Sequence, residues 1–231
     1  MAVYLLSDDL VFPSPILASG DGLLAVGGDL SQKRLLLAYS MGIFPWYSEA
    51  EPILWWSPDP RLVLYPKELY VSKSLKKIIK KDLFQITMDQ AFEKVIIACA
   101  QTRRENDEGT WIVDEMINAY CELHASGFAH SVEAWQNEKL AGGLYGVSLG
   151  KCFFGESMFT RITNASKVAF VALVNHLNTL GFDLIDCQIT TEHLVSFGAH
   201  EIPRALFLDQ LRKSLNAPTL RGKWSLATSS A

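Results

Sequence analysis

The stretch that most limits what this chain can fold into is LAGGLYGVSLGKCFFGESMF, residues 140–159. It reads as two apolar strands joined by a Gly-containing turn, with Glu156 and Ser157 just past the second apolar run. Leu144, Val147, Phe153, Phe154, Met158 and Phe159 give it a large apolar surface. Gly142, Gly143, Gly146 and Gly155 leave places where a ligand or another backbone can approach closely. An acidic group beside an apolar floor suits a site that holds an apolar side chain and an amine together. It suits equally a core hairpin whose Glu156 points to solvent.

Such a hairpin needs a larger sheet and a core. With 231 residues, 49% of them apolar, the chain can form one large domain or two small ones around a sizeable core. No apolar run approaches the ~18 residues of a membrane span, so no membrane association is expected. The start, MAVYLLSDDLVFPSP, has no basic leader before an apolar run and does not read as a signal peptide. Cys99, Cys121, Cys152 and Cys187 are scattered without a CxxC pair; they read as buried thiols of a cytoplasmic protein. The five histidines show no zinc-type spacing with them, so no structural metal is expected.

The net charge of −4 argues against a general nucleic-acid binder, but Lys73, Lys76, Lys77, Lys80 and Lys81 crowd one short segment. There Leu75, Ile78 and Ile79 recur at helical spacing, which predicts a helix over 74–81 with the lysines on its outer face. The patch is either a solvated face or a binding surface for a phosphate backbone.

Residues 1–65 read as a small N-terminal lobe. FPSP, LLAVGGDL, GIFPW and WWSPDPR are short apolar pieces broken by Gly and Pro, with Ser31 capping a short helix through Tyr39. Trp46, Trp55 and Trp56 either pack between lobes or stack on bases. Residues 66–231 read as the second domain. Helices are expected over 88–101, over 115–126 after an Asp114 cap, and over 165–180 after an Asn164 cap. Strands are expected at 62–64, 130–136, 139–147, 151–154, 183–189 and 199–202, with short and final helices at 191–197 and 204–215. Trp111 and Tyr120 fall near the start and middle of one helix. The fold class is α+β with a mostly antiparallel sheet, in the element order of an N-acetyltransferase-like domain.

In LIDCQIT, Asp186 and Gln188 alternate and so share one face of a strand. Two polar side chains on such a strand must bond to each other, to another element or to a ligand. With Glu156 they make three polar groups beside an apolar floor, a site suited to an amine nucleophile. Cys187 with His193 is a weaker nucleophile pair, since Cys187 faces away from Asp186.

GDL, GIFPW, LWWSPDPR, GTW, GGLYGV, FGESMF and LIDCQ occur in this order and spacing from about Phe12 to about Leu211. In this the chain resembles the bacterial leucyl/phenylalanyl-tRNA–protein transferases. The resemblance implies an enzyme that moves Leu, Phe or Met from aminoacyl-tRNA to the N-terminal Arg or Lys of a protein, marking it for degradation. It implies no cofactor, and we expect a monomer. The tRNA 3′ end would enter between the lobes, with Trp46, Trp111 and Tyr120 as partners of the terminal adenosine. Leu144, Phe153, Met158, Leu173 and Ile185 fall where the family lines its aminoacyl pocket; the family commonly has Met at the first of these and Phe at the fourth. The Lys73–Lys81 patch matches a basic helix that holds the acceptor stem. Asp186, Gln188 and Glu156 take the catalytic positions. Gln188 orients the amine, Asp186 polarises Gln188 or takes a proton, and Glu156 attracts the acceptor; a ribose hydroxyl of the tRNA is an alternative proton carrier.

Two other functions use the same features. An acyl-CoA-dependent N-acyltransferase needs a glycine-rich phosphate loop before the 165–180 helix, where this chain has FTRITNAS. An adaptor for protein N-termini has no use for the lysine patch or the paired tryptophans.

Overall fold

A computed structural model describes residues 3–105 and 112–226. Its strands are β1 (Tyr4–Leu6), β2 (Leu23–Gly27), β3 (Phe44–Pro45), β4 (Leu54–Trp56), β5 (Arg61–Leu64), β6 (Gln85–Met88), β7 (Ala129–Gln136), β8 (Lys139–Leu149), β9 (Cys152–Thr160), β10 (Leu184–Gln188) and β11 (His200–Ile202). Its helices are α1 (Gln32–Ser40), α2 (Lys73–Lys80), α3 (Phe92–Glu105), α4 (Asp114–Ala125), α5 (Ala165–Thr179), α6 (Glu192–Val195) and α7 (Arg204–Ser214). The first four strands form a small sheet in the order β1-β2-β4-β3. The other seven form a larger one, β11-β5-β10-β9-β8-β7-β6. The architecture is mixed α+β, rich in antiparallel pairs.

All junctions of the larger sheet are antiparallel except β9–β10. A parallel pair needs a crossover, and α5 supplies it. Gly142 of β8 lets the start of α5 sit against the sheet: a Cβ there would lie 2.7 Å from the Ala165 Cβ. One face of the sheet packs against α3, α4 and α7. The other packs against α5 and α2. Leu24 and Trp55 of the small sheet share one continuous core with Val95 and Ile96 of α3 and Met116 of α4, so the small lobe and the helical face are built as a unit.

Several local expectations are corrected. Met88 ends an edge strand, and the helix expected from it starts at Phe92. Pairing of Gln85–Met88 with β7 outweighs the apolar helical spacing. Asp114 is the first helical residue and makes no cap; Val113 holds the cap position. Asn164 precedes α5 at φ 72° with no side-chain cap bond, because the chain turns there through the left-handed region. The second strand of the hairpin does not end at Phe154 but runs to Thr160, which places Glu156 within it. Ser31 and Ser72 do cap α1 and α2 through their side chains.

Candidate active site

The site forms where β9 and β10 part. Their pairing runs Leu184↔Cys152, Ile185↔Phe153, Asp186↔Phe154 and then stops. Both strands are irregular just there. On β9 the partners of β8 step from Gly146↔Gly155 to Tyr145↔Ser157, so Glu156 is an extra residue. On β10 the partners of β5 step from Asp186↔Val63 to Gln188↔Leu62, so Cys187 is extra. Bulges bend strands and re-aim side chains. Gly146 is required opposite the first: a Cβ there would lie 2.2 Å from the Phe154 carbonyl oxygen.

Beyond the parting lies a cavity of about 610 Å³, within the usual range for small-molecule sites. Leu144, Phe153, Met158, Leu173 and Ile185 all line it. Phe170 and Leu194 join them, unforeseen, because the helices that carry them showed only generic apolar spacing. Trp46 lines the cavity from the small lobe, is 38% exposed, and lies 5.7 Å from the Trp56 ring. Trp111 lies outside the described residues. Lys73, Lys76, Lys77, Lys80 and Lys81 are exposed on or just after α2 and do not line the cavity.

Glu156 is buried at the cavity wall and is held by three side chains. Tyr39 Oη donates to Oε1 at 2.8 Å, Tyr120 Oη to Oε2 at 2.9 Å, and Gln188 Nε2 to Oε1 at 2.9 Å. Tyr39 and Tyr120 also bond to each other. The two phenols and the carboxyl thus form a closed triangle, but two phenolic protons fill only two of its sides. When Glu156 is protonated it donates to one phenol, which in turn donates to the other, and all three sides are filled. Burial pushes the Glu156 carboxyl up to about 7, against the opposing hydrogen bonds from Tyr39, Tyr120 and Gln188, with the nearby Asp186 charge adding to the rise. Tyr120 is fully buried and offers no face to a base; its hydroxyl serves Glu156 instead.

Asp186 has a partner that the sequence does not announce. Arg61 Nε donates to Oδ1 at 2.8 Å and Nη2 to Oδ2 at 2.6 Å, in a bidentate pair with side-chain exposures of 1% and 0%. The guanidinium lies between the rings of Phe44 and Phe207, at 4.8 and 4.7 Å. Asp186 Oδ1 also accepts the backbone N–H of Gln188 at 2.9 Å. Gln188 holds φ 64°, a strained conformation for a residue with a side chain. Asp186 thus fixes the backbone that aims the Gln188 amide at Glu156, and Arg61 fixes Asp186. The expected group of three does assemble, with Asp186 joined to Gln188 through the main chain.

Cys187 lines the cavity, but burial drives its thiol far above the ordinary value, which removes the thiolate that a nucleophile needs. Among the described residues no cluster of three or more His, Cys, Asp or Glu side chains is placed to hold a metal ion. No helix of the described residues is long and apolar enough to cross a membrane.

An apolar chamber ending at a titratable carboxyl and a fixed carboxamide is the equipment of an acyl-group transferase. Such an enzyme must seat an apolar side chain, keep water from an activated ester and move one proton. Comparison with known proteins narrows this class. The leucyl/phenylalanyl-tRNA protein transferase family model matches residues 63–212, and the model of that family's N-terminal domain matches 28–59. Proteins of that name are 62% identical in Desulfatibacillum aliphaticivorans (98% of this chain, 97% of that protein) and 61% in Anaeromyxobacter sp. strain Fw109-5 (98% and 96%). A third, in Desulforapulum autotrophicum, is 59% identical (97% and 98%). The chain belongs to the leucyl/phenylalanyl-tRNA–protein transferase family, and it is an aminoacyltransferase. Among solved structures, that of L-PGS from Bacillus licheniformis is 9% identical with a TM-score of 0.42, covering 87% of this chain and 66% of that one, a likeness too low to carry an argument.

Proposed function

We propose that this enzyme transfers Leu or Phe, and also Met, from aminoacyl-tRNA to the N-terminal Arg or Lys of an acceptor protein. The observation that carries the reading is the meeting of the apolar chamber with Glu156 and Gln188 where β9 and β10 part. The aminoacyl side chain enters the chamber between the sheet and α5. The terminal adenosine lies on the small-lobe side, against Trp46. The acceptor's α-amine comes to Glu156, with Gln188 orienting it. An N-terminal amine has an ordinary pKa of about 7.7–8.0. Glu156, poised near 7, takes the proton as the nitrogen attacks the ester carbonyl. The C–N bond forms, the bond to the ribose oxygen breaks, and Glu156 returns the proton to that oxygen. No external energy source is consumed, because the ester is already activated. Asp186, with both oxygens held by Arg61, positions Gln188 through the main chain.

Support for an N-acetyltransferase-like catalytic domain comes from the parallel β9–β10 junction of the larger sheet, bridged by α5 and opening immediately into the cavity. A two-lobe division is supported by the separate sheets, with its boundary between Trp56 of β4 and Arg61 of β5 rather than at residue 65, since β5 belongs to the larger sheet. The enzyme acts as a cytoplasmic monomer.

The decisive assay follows label from [³H]Leu-tRNA to a peptide beginning with Arg, beside leucyl-CoA without tRNA. Label from the charged tRNA alone is expected; label from leucyl-CoA overturns the reading. The lysines of α2 hold the acceptor stem through its phosphates, which suits an enzyme that accepts several tRNAs. Replacing Lys76, Lys77, Lys80 and Lys81 by Ala is expected to raise KM for charged tRNA at least tenfold. The slope of log KM against log salt should fall by roughly 0.7–0.9 for each phosphate that the variant no longer neutralises. An unchanged slope returns the patch to solvent.

A further inference from the structure

Ser166 and Lys167, in the first turn of α5, have no part in the chemistry described above. Both line the cavity. Lys167 is partly buried, and among the described residues it makes no ion pair or hydrogen bond. The one carboxyl in the described cavity wall is Glu156, which three donors already hold. Ser166 is 6% exposed, and its hydroxyl has no partner among the described residues either. Unlike the Ser157 hydroxyl, neither the Lys167 ammonium nor the Ser166 hydroxyl is sealed off by protein, so the little surface that Ser166 keeps opens to the cavity it lines. A hydroxyl this buried and unpaired is matched to something from outside the chain. Burial, and next the Lys167 charge, hold the His193 imidazole below its ordinary value, so the ammonium lies close to another residue of the wall. No acidic side chain stands in the first turn of α5, and Asn164 makes no cap bond. A cation there faces the positive end of the helix dipole, a placement that a bound anion turns favourable.

We propose that Lys167 and Ser166 bind the 5′-phosphate of the donor's terminal adenosine. This rests on the reading that the donor is an aminoacyl-tRNA. Three groups meet in the cavity under that reading. The aminoacyl side chain is apolar and gains nothing from an ammonium. The acceptor terminus is cationic and is repelled by one. The 3′ end of the tRNA is anionic and is the group that Lys167 suits. Position agrees with charge. Val168 and Val171, which follow Lys167 on α5, form a shallow apolar pocket with Ile78 and Ile79 of α2. The start of α5 therefore links the lysines of α2 to the cavity, and a single strand can pass from one to the other. Lys167 supplies the charge and Ser166 a directed hydrogen bond. Phosphate contacts fix register without reading sequence. A hold on the last phosphate thus sets how far the ester reaches toward Glu156.

The test removes the phosphate from the donor as well as the lysine from the enzyme. Leu-tRNA, the 3′-leucyl ester of adenosine 5′-monophosphate and the 3′-leucyl ester of adenosine are assayed with wild type, Lys167→Met, Lys167→Arg and Ser166→Ala. Lys167→Met is expected to raise KM about tenfold for the two donors that carry the phosphate, the order of one charge-assisted hydrogen bond. For the phosphate-free ester it loses nothing. Its slope of log KM against log salt for Leu-tRNA should fall by roughly 0.7, the value for one phosphate of a single strand. Lys167→Arg should restore most of the KM, and Ser166→Ala should show the same donor dependence with a smaller loss. Equal losses on all three donors make these residues structural and overturn the proposal, as does no loss on any. A loss that depends instead on an acidic second residue in the acceptor peptide assigns Lys167 to the acceptor and overturns it too. The wild type separates the two levels. If it uses Leu-tRNA but takes the phosphorylated ester no better than the nucleoside ester, this proposal alone fails. If it uses neither Leu-tRNA nor the esters, the functional reading fails and takes the proposal with it.

Discussion

Glu156→Gln is expected to lower kcat about a hundredfold and to erase the limb of the pH–rate profile with its midpoint near 7. The amide preserves size and can still accept hydrogen bonds, so the loss reports the missing proton transfer. In the wild type, activity rises with pH through about 7 as Glu156 loses its proton; in the variant only the titration of the acceptor amine remains. Stability moves the other way. Glu156 goes from an ordinary value of 4.5 to about 7 on folding, so the folded state favours the protonated carboxyl. Its contribution is fully present below 4.5 and lost as pH rises through 7, a swing of about 3 kcal/mol. Glu156→Gln has no such swing, and its stability relative to wild type should therefore improve by about that amount between pH 4.5 and pH 8. Urea melts at the two pH values, beside the rate profile, check both. A variant that keeps the limb near 7 removes Glu156 as the base.

Arg61→Met gives the second large effect. It leaves the Asp186 carboxylate buried without its partner, which costs about 3–5 kcal/mol. For a chain this long that corresponds to a fall in Tm of roughly 10 °C. Adding Asp186→Leu removes the stranded charge and should recover most of the loss. Activity should not recover, because the backbone N–H of Gln188 then has no acceptor to hold its strained conformation. Recovery of both stability and rate would show that the pair serves the core alone. Asp186→Asn distinguishes positioning from proton transfer: it keeps an oxygen for the Gln188 N–H, so the pH midpoint of kcat should stay with Glu156. A shift of that midpoint assigns the proton to Asp186.

The hairpin, the helix-linked strands after it and their order could be read from the sequence because apolar periodicity and glycine breaks are local signals. The two bulges could not. Glu156 falls within a strand that the sequence makes look finished before it, since an extra residue interrupts alternation and resembles a strand end. Counting alternate residues pairs Asp186 with Gln188, whereas Cys187 is an inserted residue and the link between the two runs through a backbone N–H. Arg61 does leave a trace. One basic residue opens the apolar strand RLVL and one acidic residue interrupts LIDCQ; two lone opposite charges on buried strands call for each other. Tyr39 leaves none, because a tyrosine on the apolar face of a short helix looks like core. The edge strand Gln85–Met88 is hidden by a helix pattern that begins only a few residues later.

The continuous core beneath both lobes bears on which proteins can be modified. Leu24 and Trp55 are packed into the same apolar mass as Val95 and Met116, so the two halves cannot swing apart like jaws without exposing that mass to water. A chamber of about 610 Å³ admits the end of a nucleic acid and the first residues of a polypeptide, but no folded domain. An acceptor must thread in as a loose tail. The enzyme thereby measures two properties in one step, the chemistry of the first residue and the slack in the chain behind it. A compactly tucked terminus is spared whatever its first residue.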